Sequence, residues 1–238
     1  MNQVTDQQII EILRKEAVPA LGCTEPVACA LACAKCKEVL GDVPEHLDVL
    51  VSGNIYKNGM GVGIPGTGMV GLPIAAALGA VCGKSEYGLE VLKEVNVGDN
   101  LQRAKDMLGQ VKVSLKEDAP DKLYAEALAT KGNDTVKVII VHTHTNIVLV
   151  EKNGKEIFKR EFRLDTSKPE DKGPELSVKR IWDFVHQVDV KDIEFVLQGA
   201  EMNKAISAEG LKSEYGLQIG KTLKENIDKG LLEDDLLN

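Results

Sequence analysis

Residues 58–83, NGMGVGIPGTGMVGLPIAAALGAVCG, carry no charged side chain, and eight glycines and two prolines fall among them. Length alone would allow a membrane span, but only Met69–Cys82 reads as a continuous apolar helix. That is well short of the ~20 residues needed to cross a bilayer. The stretch therefore predicts a glycine-dense loop followed by a helix buried in a core, and 238 residues are enough chain to build that core. No membrane partner is expected. The start, MNQVTDQQIIEIL, lacks a basic segment followed by an apolar one, so no signal peptide is read and the expected location is cytoplasmic. There, five cysteines would be reduced thiols, ligands or catalysts rather than disulfides.

The rest of the chain changes period twice. Thr5-x-x-Gln8 predicts a capping box opening a helix that ends before Pro19. A second helix is expected from Thr24–Pro26 to about Leu40, then a strand over 46–56. Asp99 would cap a helix ending at Gly109. The segments VKVSL, KLYAEALAT, TVKVIIVHTHTNIVLV and KEIFKREF alternate as strands, with GND and NG as tight turns between them. After the polar stretch DTSKPEDKGP everything is helical in pattern. The fold expected is a layered α/β (α+β) domain over 1–164 with an antiparallel or mixed sheet. A linker over 165–174 and a helical segment over 175–238 would follow it, the latter as the start of a second helical domain.

Charge narrows the partners. A net charge of −8, with no run of Lys or Arg, argues against nucleic acid, whose phosphates demand a clustered basic face. An aromatic content of 4% also disfavours a base-stacking surface.

Four of the five cysteines lie in EAVPALGCTEPVACALACAKC. Cys29, Cys33 and Cys36 have the spacing of some iron–sulfur motifs. They also fall at i, i+4 and i+7 among alanines, which is one face of a helix, and buried cysteine packs as a small hydrophobe. The core reading is preferred. Cys23 stands apart, just before the helix, with Thr24 as expected N-cap. A helix N-terminus offers unpaired N–H groups that bind anions and favour a thiolate, so Cys23 is the candidate reactive or metal-binding sulfur. Glu25 is its candidate acid or base, or a complement to the helix dipole.

Gly61-x-Gly63-x-x-Gly66 invites a dinucleotide site, but Pro65 removes an amide from the phosphate turn and no strand-end acid follows about twenty residues on. The loop is read instead as a close approach of backbone to a ligand, with Asn54, Lys57, Asn58 and Gly59 beside it. His142 and His144 are expected on one face of a strand. His144, with Asn146, is the better candidate to line a cleft.

The segments EAVPALGCTEPVACALA and VSGNIYKNGMGVGIPGTGMVGLPIAAALGA resemble the L-cysteine desulfidase family and its bacterial sister group, related to iron–sulfur-dependent L-serine dehydratases. HTHTNIV and EGLKSEYGLQIGKTL extend the likeness along the chain. Residues 20–165 are more distantly similar to the smaller α/β domain of the serine dehydratases. GCTEPVACALA falls where that family has its Ser-Ser-His-Thr substrate segment. The resemblance implies a lyase that β-eliminates from L-cysteine to give pyruvate, ammonia and sulfide, on a 4Fe-4S cluster. Serine dehydration is the nearest enzymatic alternative, and a non-catalytic module binding a small amino acid the alternative of another class. In the family pattern Cys23 would be base or cluster-associated ligand. Thr24 and the helix N-terminus would hold the substrate carboxylate.

The same family continues into a second helical half with further cysteines, whereas this sequence has none after Cys82. The expectation is a partial chain whose cluster is completed by that second half, with no cluster and no turnover in these 238 residues alone. Apolar helix faces lacking cover are expected near the C-terminus. Homo-oligomerisation or local disorder would relieve them.

Overall fold

The computed structural model describes residues 4–20, 22–161, 176–212, 214 and 218–234, so the expected linker at 165–174 lies outside the described residues. The chain forms two compact units. One comprises Pro19–Glu170, and the other joins Met1–Val18 to Asp171–Asn238.

The chain opens with α1 (Asp6–Glu16), and the capping box is present. Thr5 Oγ1 accepts from the Gln8 amide at 3.2 Å, and Gln8 Oε1 accepts from the Thr5 amide at 2.9 Å. The sequence reading assigned this helix to the first 164 residues. Its apolar side, Ile9 and Ile10, is instead buried with Val4 and Phe184, in the unit that holds the C-terminal helices.

In the larger unit the elements run α2 (Thr24–Leu40), β1 (His46–Val51), α3 (Gly53–Gly59), β2 (Gly63–Ile64), β3 (Met69–Val70) and α4 (Leu72–Val81). They continue through α5 (Asn100–Asp106), β4 (Val111–Leu115), β5 (Tyr124–Lys131), β6 (Asp134–Val141), β7 (Ile147–Lys152) and β8 (Lys155–Lys159). Six strands form one sheet in the order β4-β1-β5-β6-β7-β8, while β2 and β3 pair separately. β1 is parallel to β4 and antiparallel to β5, so the sheet is mixed. The protein is an α/β fold with a helical C-terminal segment.

Alternation decides which side of the sheet is covered. Leu47, Val49 and Val51 of β1, Ala125, Ala127 and Ala129 of β5, and Val136, Val138 and Ile140 of β6 are all buried in the core that α2 and α4 complete. The positions between them, Asp48 and Leu50, Glu126 and Leu128, Lys137 and Ile139, mix charged and apolar side chains, and none of them is buried. On that face Lys116 pairs with Glu126 at 3.4 Å and Lys137 with Glu151 at 3.1 Å. The three alanines of β5 leave room for α2 to lie close. Cys29, Cys33 and Cys36 of α2 have no solvent exposure, and Cys36 Sγ reaches the sheet, 3.5 Å from the Ala127 carbonyl oxygen. The triplet is core.

α4 is the buried helix that the uncharged stretch predicts. Every residue from Leu72 to Val81 except Pro73 is buried. It starts later than expected, because Met69 and Val70 form β3 instead. Among the described residues no helix is long and apolar enough to cross a membrane. α4 meets α2 at closest range where Gly79 faces Ala30: a Cβ added to Gly79 would sit 2.2 Å from the Ala30 carbonyl oxygen.

In the smaller unit α1 is joined by α6 (Val178–Gln187), α7 (Val190–Ile193), α8 (Val196–Lys212) and α9 (Ile219–Asp228). Ser177 caps α6 by accepting from the Arg180 amide at 3.1 Å. Arg180 ties the helix to the N-terminal segment: its Nε donates to the Val4 carbonyl at 2.6 Å, and its guanidinium pairs with Asp6. Phe184 is 3% exposed in the resulting cluster.

Candidate functional site

The site begins where the chain enters α2. Gly22 takes a φ of +81°, which favours glycine, and a Cβ there would lie 3.1 Å from Cγ of Pro65. The two glycine-containing motifs singled out in the sequence thus touch. Pro65 is carried by the β2–β3 hairpin, whose turn is tied by Thr67: its hydroxyl donates to the Ile64 carbonyl at 2.7 Å and accepts from the Met69 amide at 2.9 Å. The glycine loop is therefore a folded hairpin.

Cys23, in extended conformation (φ −70°, ψ 134°), is the N-cap of α2, and Thr24 is the first helical residue rather than the cap. The Cys23 side chain makes no cap hydrogen bond. Its thiol donates instead to Glu25 Oε2 at 2.8 Å. The other carboxylate oxygen, Oε1, accepts from Asn58 Nδ2 at 3.1 Å. Thiol, carboxylate and amide make one hydrogen-bonded chain at the N-terminal end of α2.

This chain sets the charges. The Cys23 thiol bond holds Glu25 below the ordinary carboxylate range, with burial opposing and Asn58 helping. Glu25 is thus ionised at neutral pH. Burial, and then the Glu25 carboxylate, push the Cys23 thiol above its ordinary value. The expectation of a thiolate stabilised by the helix terminus is corrected: burial, joined by the carboxylate two residues on, outweighs the terminal amides, and the resting pair is a thiol beside a carboxylate.

Asn58 reaches Glu25 because β1 ends at Val51 and α3 begins at Gly53, where the sequence reading carried the strand on to 56. Ser52 is the reason. Buried at 2% exposure, its hydroxyl donates to the Lys122 carbonyl at 2.6 Å and accepts from the Ile55 amide at 3.5 Å. It caps α3 while tying the end of β1 to the start of β5. The sequence reading passed over Ser52, although a serine before Gly-Asn at a strand end is an N-cap signal. On α3, Asn54 and Lys57 are exposed. Gly59 is a packing position, where a Cβ would come within 2.3 Å of Leu72 Cδ2.

His144 does not lie on a strand. β6 ends at Val141, and residues 142–146 form a loop in which His142 has a φ of +71°. His142 Nδ1 lies 2.7 Å from Asp121 Oδ2, which turns it away from the expected alternation. His144 is half-buried on this loop, and burial lowers its pKa, opposed by the nearby Glu25 charge. It is neutral at neutral pH and belongs to the electrostatic neighbourhood of Glu25. Asn146 holds the loop: its Nδ2 donates to the Val141 carbonyl at 3.0 Å, and its Oδ1 accepts from Arg160 at 2.8 Å. The structure joins Cys23, Glu25 and Asn58 by hydrogen bonds, with Thr24 beside them, and His144 feels the Glu25 charge without a hydrogen bond to it.

An iron–sulfur cluster needs several thiolates at one point. Of the five cysteines, all free thiols, Cys29, Cys33, Cys36 and Cys82 are buried, and only Cys23 is partly exposed. Burial raises Cys29 to about 12 and Cys33 well above its ordinary value. These side chains do not fit a cluster held by this chain alone.

The same burial sets an order of reactivity. A limiting alkylating reagent applied to the native protein is expected to label Cys23 well before the triplet, since the thiolate is the nucleophile and must be reached by reagent. Peptide mass spectrometry reads the order. Equal labelling would mean that the triplet does not pack against the sheet as described.

No family model matches the sequence, and no solved structure matches it. Proteins labelled UPF0597 do. The chain is 46% identical over 238 residues to one from Dichelobacter nodosus, covering 99% of this chain and 55% of the relative. It is 45% identical over 231 residues to one from Aeromonas hydrophila, covering 96% and 52%. A relative from Parabacteroides distasonis is 43% identical over 240 residues, covering 98% and 55%. The chain is similar to these proteins along nearly its whole extent, and it spans about half the length of the curated relatives it matches.

Proposed function

We propose that this chain supplies the acid–base half of a β-eliminating lyase of the L-cysteine desulfidase type, acting on L-cysteine to give pyruvate, ammonia and sulfide. The observation that carries the reading is the Cys23–Glu25 hydrogen bond of 2.8 Å at the start of α2. It pairs a thiol of raised pKa with a carboxylate of lowered pKa, so one proton is shared between a strong base and a weak one.

In this reading the substrate carboxylate docks at Thr24 and the first amides of α2. The Cys23 proton passes to Glu25 Oε2, and the sulfur then takes the α-proton. The electron pair of the Cα–H bond forms the Cα=Cβ bond as the Cβ–S bond breaks. The departing hydrosulfide takes the proton from Glu25 and leaves as hydrogen sulfide. Cys23 ends as a thiol and Glu25 as a carboxylate, as both began. The aminoacrylate tautomerises and hydrolyses to pyruvate and ammonia. Asn58 keeps Glu25 turned toward the sulfur, and neutral His144 adds no positive charge that would weaken the base. With L-serine, water leaves in place of hydrogen sulfide.

Cys23 is the one partly exposed thiol, so a 4Fe-4S cluster in a full-length enzyme would take at most Cys23 from these 238 residues and its remaining ligands from outside them. A reducing compartment, the cytoplasm, belongs to the reading and is supported by five free cysteines.

The test is release of sulfide and pyruvate from L-cysteine, with L-serine in parallel. The protein is extended to the relatives' full length, purified anaerobically and reconstituted with iron and sulfide. Products from neither amino acid would remove the lyase. Calorimetric binding of the amino acid without product would replace it with a binding module.

A further inference from the structure

The smaller unit has more apolar surface than it covers. On α6, Phe184 is buried against α1, and Val188 packs against the same cluster. The helix carries a second apolar stripe, Val178, Ile181, Trp182 and Val185, at i, i+3, i+4 and i+7. These residues are 85%, 45%, 63% and 55% exposed. A stripe at this spacing is the pattern of a helix face that packs against another element. α8 repeats the problem: it runs for 17 residues, none of them buried, with Ile206 68% exposed. A helix of that length draws most of its stability from packing, and α8 has only partial cover, against α9, where Leu211 lies beside Gly220.

We infer that the Val178–Val185 face of α6 is a docking surface for a further stretch of polypeptide, the part of the protein that the relatives carry outside the matched half. Two observations select that occupant. The likeness covers 99% of this chain, helices α6–α9 included, yet only 55% of the Dichelobacter nodosus relative. The relatives thus carry nearly as much chain again outside the matched half, tethered to it and so at high local concentration. In the matched half, the smaller unit presents a continuous apolar helix face. The partner expected there is a segment with an apolar stripe of its own, seated along α6.

Trp182 is the single tryptophan of the chain and sits in the middle of the stripe, which makes it the reporter. The unmatched part of the Dichelobacter nodosus relative is joined to this chain in the order the relative carries it. Hydroxyl-radical footprinting with peptide mass spectrometry then follows oxidation of Trp182. It is expected to oxidise several-fold more slowly in the joined protein than in the 238-residue chain. Ile181→Glu and Val185→Glu, which replace exposed side chains, should restore rapid oxidation while leaving the circular dichroism unchanged. Equal oxidation in the two proteins overturns the inference. So does slow oxidation in the 238-residue chain as a monomer, which would mean the face is covered from within. Protection that appears only as the 238-residue chain dimerises would assign the face to a second copy and overturn it equally.

Discussion

Glu25→Gln is expected to cut turnover of the full-length protein by about 10²–10⁴-fold, the range for removal of a general acid–base group. In the same variant Cys23 should become more reactive to alkylation near neutral pH. Both follow from one hydrogen bond. The glutamine keeps the size of the side chain and can still meet Asn58, but it cannot take the Cys23 proton. Removing the carboxylate also removes the second cause of the raised thiol pKa, while burial, the first cause, stays. The thiol pKa falls, and at a given pH below it the thiolate fraction rises. A pH series of iodoacetamide labelling should show the Cys23 profile moving to lower pH in the variant. Loss of turnover with an unmoved profile would mean that the thiol–carboxylate bond is not made in solution.

Gly79→Ala should lower stability by about 1–3 kcal/mol, the usual cost of overfilling a packed contact. Helix propensity pulls the other way by up to ~1 kcal/mol and loses, because the obstacle is backbone and not a side chain that can rotate. The added methyl would meet the Ala30 carbonyl and Cα at 2.2 and 2.7 Å, so α2 itself must shift. Ala30 lies little more than a turn beyond Glu25, and the shift should loosen the Glu25–Asn58 contact as well. Gly199→Ala on α8 is the matched control. Nothing lies within 4 Å of its added Cβ, so the same substitution should stabilise by roughly 0.4–1 kcal/mol. Thermal melts of the two variants should move in opposite directions.

The parts of the fold visible in the sequence are those governed by neighbours in the chain. The Thr5–Gln8 box, the helical spacing of Cys29, Cys33 and Cys36, and the two-residue alternation of β5 and β6 each depend on nearby positions. What escaped depends on distant partners. Through Ile55 and Tyr56 the apolar pattern continues as β1 would, but the Ser52 hydroxyl, engaged with Lys122, caps α3 where the strand stops. HTHTN looks like more of β6, and Asp121 is what draws His142 out of register. At the candidate site the placing of Cys23 and Glu25 at a helix start was legible, but the protonation of Cys23 was not. The helix terminus is implicit in the Cys-Thr-Glu-Pro order, whereas the reach of Glu25 back to the sulfur is a matter of side-chain geometry.

The position of β1 has a consequence for how the molecule assembles. β5, β6, β7 and β8 follow one another along the chain and pair with sequential neighbours, so this meander can close by short loops. β1 must enter between β5 and β4, matching Val49 with Ala127 on one side and Val113 on the other, across long separations in sequence. Contacts of that kind form late, because the loop entropy must be spent before pairing rewards it. Ser52 and α3 follow directly on β1, and Asn58 with them. The polar chain around Glu25 is therefore completed only once the central strand is home, and a nascent or partly unfolded molecule presents Cys23 without the apparatus that controls its proton.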